Sequence, residues 1–395
     1  MISISEARAI IQKHVFPLPT GQLPLSRGAG LTLAADVYAG ENIPAFPQSS
    51  MDGYAFAFRD WDGKNELRIS GVVAAGDRKS VSLTPGTAVR IFTGAAVPEG
   101  ADTVVMQEKV AVADGRLIIS DHQLREGANV RPQGSEIRSG TLALRAGTPL
   151  TPGAIGFLAG IGLEQVPVFP YPSVTIIVTG NELQSPGQKL EYGQVYESNS
   201  YTLLSALEQV NIRSVHVVRV EDDPAELTAT LHNSLIVSDL VLLTGGVSVG
   251  DYDYVPQAAA ACGITPVFYK VRQRPGKPLY VGKLNQKLVF GLPGNPSSVL
   301  TCFYMHVLPV LSLLSNRKID VPSFRAPLGR PCQKAAGLTH FLKGNFEGQT
   351  VCPLDAQESY RMHSFARANC LIELPEEETD FPEGTMVTVH LLPGN

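Results

Sequence analysis

Apolar residues follow two different rhythms along this 395-residue chain. From Tyr171 to about Ser315, continuous apolar runs alternate with helix-period stretches. Residues 173–179, 214–220, 240–244 and 288–291 read as strands that are apolar on both faces. Between them, 200–210 reads as a helix with Leu203, Leu204 and Leu207 on one side, followed by helices over 225–238 and 254–261. A long helix starts at Asn295 and Pro296 and runs to about Ser315. Asp223 as N-cap, Pro224 in the first turn and Glu226 as box partner mark the start of the 225–238 helix. Strands alternating with helices predict a parallel, doubly wound α/β domain. From Ala39 to about Glu136 the apolar runs are short (67–73, 88–92, 103–106) and broken by Gly, Pro and Asp, which predicts a β-rich domain. A first helix is expected over 5–14, with Ile4, Ala7, Ile11 and Val15 on one face and Ser3 with Glu6 as capping box. Residues 140–169 are expected to pack back on the first segment. After Pro322 helices are expected to stop, and runs at 369–374 and 386–391 suggest a small terminal β domain. The expected partition is 1–38 with 139–170, 39–138, 171–318 and 319–395.

Composition narrows the function. Lys and Arg number 32 against 37 Asp and Glu, a formal charge of −5, so no general basic surface exists to hold a nucleic-acid backbone. With 44% hydrophobic residues the chain forms a core. The 37 glycines and 29 prolines favour a turn-rich architecture over a helical bundle. The five cysteines, Cys262, Cys302, Cys332, Cys352 and Cys370, form no CxxC. No disulfide framework or zinc ribbon is expected, and a reducing cytoplasm fits. The longest apolar stretches, near 235–243 and 307–314, are too short to span a bilayer. The N-terminus lacks the basic and apolar regions of a signal peptide.

In a doubly wound sheet, ligands bind beyond the carboxyl ends of the strands. Here those ends read Thr-Gly-Asn-Glu (179–182), Glu-Asp-Asp (221–223), a glycine-rich run from Thr244 to Asp253 and Gly-Leu-Pro-Gly-Asn-Pro (291–296). Glycines allow close backbone approach, and following helix N-termini favour an anion. Glu182, Asp222 and Asp253 on the same rim suit a Mg²⁺ ion between carboxylates and phosphate oxygens. Asp223 reads more simply as a helix cap, and the same bland reading applies to Asp222 and Asp253. Arg272, Arg274 and Lys277 in Arg-Gln-Arg-Pro-Gly-Lys are either phosphate ligands or a solvated turn. The segment 246–250, Gly-Val-Ser-Val-Gly, matches the GxSxG of a serine hydrolase, with His306, His340, His363 or His390 as base. A nucleophile elbow enters its helix at once, however, whereas 250–253 intervene here, and a backbone anion nest suits the run better. The segment 160–162 lacks the third glycine of a dinucleotide fingerprint, and there is no Walker-type phosphate loop. On local grounds Asp52 before Gly53 reads as a turn residue.

Together these segments resemble the MoeA family, the molybdopterin molybdenumtransferases that include the E domain of gephyrin. The motifs are Ser-Ser-Met-Asp-Gly-Tyr-Ala (49–55), Phe-Thr-Gly-Ala (92–95), Thr-Gly-Asn-Glu-Leu (179–183), Asp-Asp-Pro (222–224), Gly-Gly-Val-Ser-Val-Gly (245–250) with Asp253 and Tyr254, Pro-Gly-Lys-Pro (275–278) and Gly-Leu-Pro-Gly-Asn-Pro-Ser (291–297). The resemblance implies a multidomain α/β plus β protein: a MogA-like doubly wound domain, a β-rich lid-like domain and a small C-terminal β-barrel-like domain, in an elongated homodimer. It further implies a cytoplasmic, Mg²⁺-dependent enzyme that takes adenylylated molybdopterin and molybdate and releases AMP with the molybdenum cofactor. Other cofactor-biosynthesis proteins are candidate partners; nucleic acid and membrane are not.

By the same resemblance Asp52, Thr93, Glu182 and Lys277 would be catalytic, with Asp52 and Thr93 reaching the partner subunit's cleft. Glu182, Asp222 and Asp253 would hold the metal. Arg131, Glu136, Ser198, Gly245, Gly246, Ser248, Gly250, Arg272, Arg274, Pro293, Asn295 and Pro296 would bind substrate. The chain departs from the family pattern with Asn181 for Asp, Glu197 for Asp, Arg274 for Lys and Glu136 where Asp is usual. The missing carboxylate at 181 bears on metal binding and on molybdate against tungstate. A MogA-type adenylyltransferase and a non-enzymatic, gephyrin-like scaffold are the alternatives.

Overall fold

The computed structural model describes residues 1–78, 81–246 and 254–393. The chain divides into two compact units: unit 1 is Met1–Gly21 with Phe169–Asn395, and unit 2 is Gln22–Val168.

Unit 1 is built on α1 (Ile4–His14), β1 (Val174–Thr179), α2 (Asn199–Gln209), β2 (Val215–Val220), α3 (Pro224–Val237), β3 (Leu240–Thr244), α4 (Tyr254–Ala261), β4 (Thr265–Tyr269), β5 (Tyr280–Leu284), β6 (Lys287–Leu292) and the long helix α5 (Pro296–Leu314). The six strands lie in the order β2-β1-β3-β6-β5-β4. The first four are parallel, with Val174 opposite Leu240 and Leu240 opposite Leu288. Alternate strand residues serve opposite faces. Ile176, Val178, Leu242 and Phe290 pack with α1, α2 and α5. Ile177, Val241, Leu243 and Val289 pack with Leu227, Leu231 and Leu235 of α3 and Val255 of α4. Burial on both faces is why these strands carry unbroken apolar runs.

Three features differ from the expectation of a wholly parallel, doubly covered sheet. β4 and β5 are additional strands and run antiparallel. Leu284 pairs with Lys287, so β5 and β6 form a hairpin whose two-residue turn holds Asn285 at φ 56°. A turn that short permits only antiparallel pairing, and asparagine tolerates the left-handed conformation it needs. β2 is an edge strand with exposed residues, Val217 being 43% exposed. α5 contains a π turn at Phe303–Val307. Pro309 lacks the N–H that an α-helix would direct at Met305, and the wider turn absorbs that missing bond. The apolar run of α5 is longer than the sequence suggested, and 83% of its most hydrophobic window is buried in unit 1.

α1 belongs to unit 1 rather than with residues 22–38, because Ile4, Ala7, Ile11 and Val15 enter the core beneath the sheet. Its capping box is present, Glu6 N donating to Ser3 Oγ at 3.2 Å and Ser3 N to Glu6 Oε2 at 2.7 Å. The C-terminal strands Ser323–Pro327, Thr339–Phe346, Val351–Pro353, Cys370–Leu374 and Met386–Leu391 form an antiparallel sheet, and a parallel bridge between Leu328 and Val351 closes it into a small barrel. A short helix, Met362–Phe365, interrupts this region, where helices were not expected. Phe341, Leu371 and Phe365 of the barrel region join the α/β core.

Unit 2 holds a six-stranded sheet in the order Thr103–Met106, Gly53–Phe56, Thr87–Ile91, Leu67–Val73, Arg116–Ile119, Val110–Ala113. Ala55, Val89 and Ile91 pack on one face, and Phe56, Ala88 and Leu117 on the other. Residues 140–169 do return to the first segment: Leu142–Leu144 pairs with Val37–Tyr38, and Gln165–Phe169 lies between Gly21–Pro24 and Thr32–Leu33.

Leu242 sits fully buried on a central strand. Leu242→Ala is expected to remove about 2–5 kcal/mol from unit 1. The far-ultraviolet circular-dichroism transition falls, while the fluorescence transition of Trp61, which packs in unit 2 against Phe56, keeps its midpoint.

Candidate functional site

The carboxyl ends of β1, β3 and β6 open into a cavity of about 900 Å³. Gly245 and Gly246 follow β3, Pro293 to Pro296 follow β6, and Glu182, Ser198, Lys277 and Pro278 complete the rim. Gly245 is held at φ +87°, and a β-carbon there would sit 2.2 Å from the Thr179 carbonyl oxygen, so only glycine brings the two loops this close. Lys277 is the only lysine or arginine among the described lining residues, which also include Glu182 and Glu197.

Glu197 is not free for a ligand. Its carboxylate accepts from Ser200 N at 2.8 Å and Ser200 Oγ at 2.5 Å, capping the start of α2. Glu182 faces the cavity. The first amide of α5 is occupied as well, Ser297 N donating to Ser359 O at 3.0 Å, while Asn295 Nδ2 donates to Ser359 Oγ at 2.9 Å. Among the described residues, three buried polar atoms around the rim have no hydrogen-bond partner: Asn199 Oδ1, Thr244 Oγ1 and Ser297 Oγ.

Asp222 is placed as a brace. One carboxylate oxygen accepts from Thr179 Oγ1 at 2.5 Å and the other from Asn181 N at 3.2 Å, while Asn181 Oδ1 accepts from Asp222 N at 3.0 Å. Asn181 thus pairs reciprocally with Asp222, where a second carboxylate would repel it. Asp223 caps α3 through Glu226 N at 2.7 Å. Asp253, Ser248 and Gly250 lie outside the described residues. Among the described residues, no group of three or more His, Cys, Asp or Glu side chains converges as a metal site. A Mg²⁺ ion commonly takes one or two carboxylates with phosphate oxygens and water, and Glu182 fits that limited role.

The basic cluster is divided. Arg272 Nε lies 2.6 Å from Glu376 Oε1, and its Nη1 donates to Met1 O at 3.3 Å, so this side chain ties the chain start to the barrel instead of lining the cavity. Arg274 is exposed on a strand pairing with Thr339 and His340, also outside the cavity. None of the four histidines weighed as a hydrolase base lines the cavity. His306 is buried against Gln273, His390 bonds Glu373 at 2.7 Å, and His363 lines a separate 310 Å³ cavity with Arg330 and Arg367.

In unit 2, Thr93 donates to Asp52 Oδ1 from its backbone N–H at 2.8 Å and its hydroxyl at 2.7 Å. These two bonds, aided by nearby Arg90, hold the Asp52 carboxyl below its usual range. Arg131 lies opposite Gln48 on a short strand pair, and the Gln48 strand also contacts the 92–97 loop through Ala95 and Ala96. Asp52, Thr93 and Arg131 therefore sit on interlaced loops, and Glu136 is exposed on the same segment as Arg131.

The family models match along the chain: the MoeA N-terminal region (domain I and II) at residues 2–162, a probable molybdopterin binding domain at 175–313 and the MoeA C-terminal region (domain IV) at 325–392. The chain belongs to the MoeA family. It is 33% identical to the molybdopterin molybdenumtransferase of Haemophilus influenzae, covering 99% of this chain and 100% of that one. It is 34% identical to the Nostoc enzyme of the same name, over 92% and 87% of the two chains. The solved molybdopterin biosynthesis MoeA protein of Pyrococcus horikoshii superposes with a TM-score of 0.83 at 29% identity, covering 99% of each chain.

The motif reading missed several cavity residues: Val195, Tyr196, Tyr360 and Met362. Tyr360 and Met362 come from the C-terminal region, in a stretch with no glycine-rich motif beside them. Their loop is clamped by Lys343, whose Nζ donates to Ala356 O at 2.8 Å and Arg361 O at 3.0 Å. A lysine amid the apolar residues of strand 339–346 was the available signal.

Burial lowers His306 from 6.5 to about 3, reinforced by Arg8. Burial, with Arg274 and Lys334, lowers His340 from 6.5 to about 4. Below pH 6.5 the unfolded chain binds protons that the native protein refuses, so stability falls as pH drops from 6.5 towards 4. Denaturant titrations across that range should show the decline, and His306→Gln should make it shallower, leaving the His340 share.

Proposed function

We propose that this chain is a molybdopterin molybdenumtransferase, acting on adenylylated molybdopterin and molybdate and releasing AMP. The observation that carries the reading is the cavity at the strand ends, which gathers Glu182, Gly245, Gly246, Lys277 and Pro293 to Pro296, in a chain that matches transferases of that name end to end. Lys277 would offset the negative charge of phosphate or oxyanion as a point charge. Gly245 and Gly246 would bring backbone N–H groups against the ligand. Asn199 Oδ1, Thr244 Oγ1 and Ser297 Oγ leave polar capacity beside the cavity for substrate or ordered water. Glu182 would hold Mg²⁺ together with the substrate phosphate. When bound, the ion would stabilise charge developing on the leaving phosphate. In a cytoplasmic homodimer, the Asp52 and Thr93 pair would reach substrate from the second subunit, with Arg131 beside it.

The test is AMP release from adenylylated molybdopterin and Mg²⁺, with and without molybdate, followed by chromatography. Molybdate-dependent release is expected, and Glu182→Ala should reduce it roughly a hundredfold or more while leaving the fold intact, the scale of losing a charge-stabilising group at a reacting centre. Unchanged turnover in that variant would remove Glu182 from the mechanism. ATP consumption with metal-free molybdopterin would instead identify an adenylyltransferase.

A further inference from the structure

Behind Lys277, and outside the cavity, lies a polar chain within the apolar interior of unit 1. Gln273 is completely buried, and its amide nitrogen donates to Pro275 O at 3.1 Å and Gly276 O at 3.3 Å, with Cys302 Sγ at 3.4 Å. Those carbonyl oxygens can only accept, so the amide orientation is fixed and Oε1 must face the other way. There it meets His306 Nε2 at 2.7 Å. An amide oxygen cannot donate, so His306 carries its proton on Nε2. His306 Nδ1 is buried with no partner among the described residues, and the ring is neutral, burial having pushed its pKa down to about 3.

The loop above is pressed onto this pair. Gly276 adopts φ +88°, and a β-carbon there would lie 2.5 Å from Cys302 Sγ and 2.7 Å from Gln273 Nε2. On its far side, Lys277 O accepts from Val271 N and Leu279 N, both at 3.0 Å. The backbone of Lys277 is therefore held from two directions. Cys302 and His306 lie four residues apart on α5, and the π turn that accommodates Pro309 carries His306. Single-turn π bulges often mark functional sites.

We infer that Gln273 and His306 are positioning residues for Lys277, fixing the loop 273–279 so that the lysine meets the phosphate-bearing substrate in one place. This inference rests on the proposed reading of the cavity. A rigid loop loses little freedom when substrate binds, so the pair acts mainly on substrate affinity.

Two variants and one measurement on the unaltered chain test it. His306→Leu removes the donor, while His306→Gln keeps an N–H that can reach Gln273 Oε1. In the full-length protein, His306→Leu should speed amide hydrogen exchange across 273–279 about tenfold. It should raise KM for adenylylated molybdopterin at least fivefold with a smaller change in kcat, and His306→Gln should restore both. Exchange and KM at the unaltered level in a folded His306→Leu protein would overturn the inference. So would equal impairment in both variants, which marks a packing role. The exchange arm needs no turnover: if the unaltered chain releases no AMP, the proposed function fails while the brace is still read. If His306→Leu does not fold, ¹⁵N-histidine spectra of the unaltered chain decide, because His306 must be the Nε2–H tautomer and an Nδ1–H tautomer contradicts its bond to Gln273 and with it the positioning role.

Discussion

A β-carbon on Gly245 would lie 2.2 Å from the carbonyl oxygen of Thr179, and the rim of unit 1 is arranged around that close approach. It brings the loop after β3 against the loop after β1. On the other side of β1, Thr179 meets Asp222, and Asp222 locks Asn181. The ends of β1 and β2 are tied by short polar contacts, the end of β3 lies against β1 through backbone contact, and β6 contributes Pro293 to Pro296. The cavity is a consequence of this fixed rim, with Glu182 and Lys277 as the charged groups left facing it.

Polar groups near the rim divide by whether their hydrogen-bonding capacity is already used. Asp222, Asp223 and Glu197 brace a turn or cap a helix, and Arg272 is taken by Glu376. Among the described residues, no side-chain bond engages Glu182 or Lys277, which both line the cavity. The polar interior continues behind the lysine loop through Gln273 and His306. A buried polar pair is costly unless its bonds are complete, which suits a role in holding one geometry more than a role in stability.

The alternating apolar rhythm made the α/β layer legible because a strand covered on both faces and a one-sided helix have different periods. The caps at Ser3 and Asp223 were legible because capping is local chemistry. The hairpin of β5 and β6 was not, since Asn285 is a weak signal beside the strand–helix alternation before it. The placement of α1 depends on which core accepts Ile4, Ala7 and Ile11, a tertiary fact. Charge patterning placed Arg272 and Lys277 in one cluster, but the backbone bend at Gly276 separates their environments. Tyr360 and Met362 reach the cavity through a long-range loop clamp by Lys343, which no local motif encodes.

The most direct test of this account is hydrogen exchange of the full-length chain with and without AMP and Mg²⁺. It predicts slowed exchange at 179–182, 245–246, 277–279 and 294–298, the segments that frame the cavity. Protection confined to residues around Arg330, His363 and Arg367, with those four segments unchanged, would contradict it.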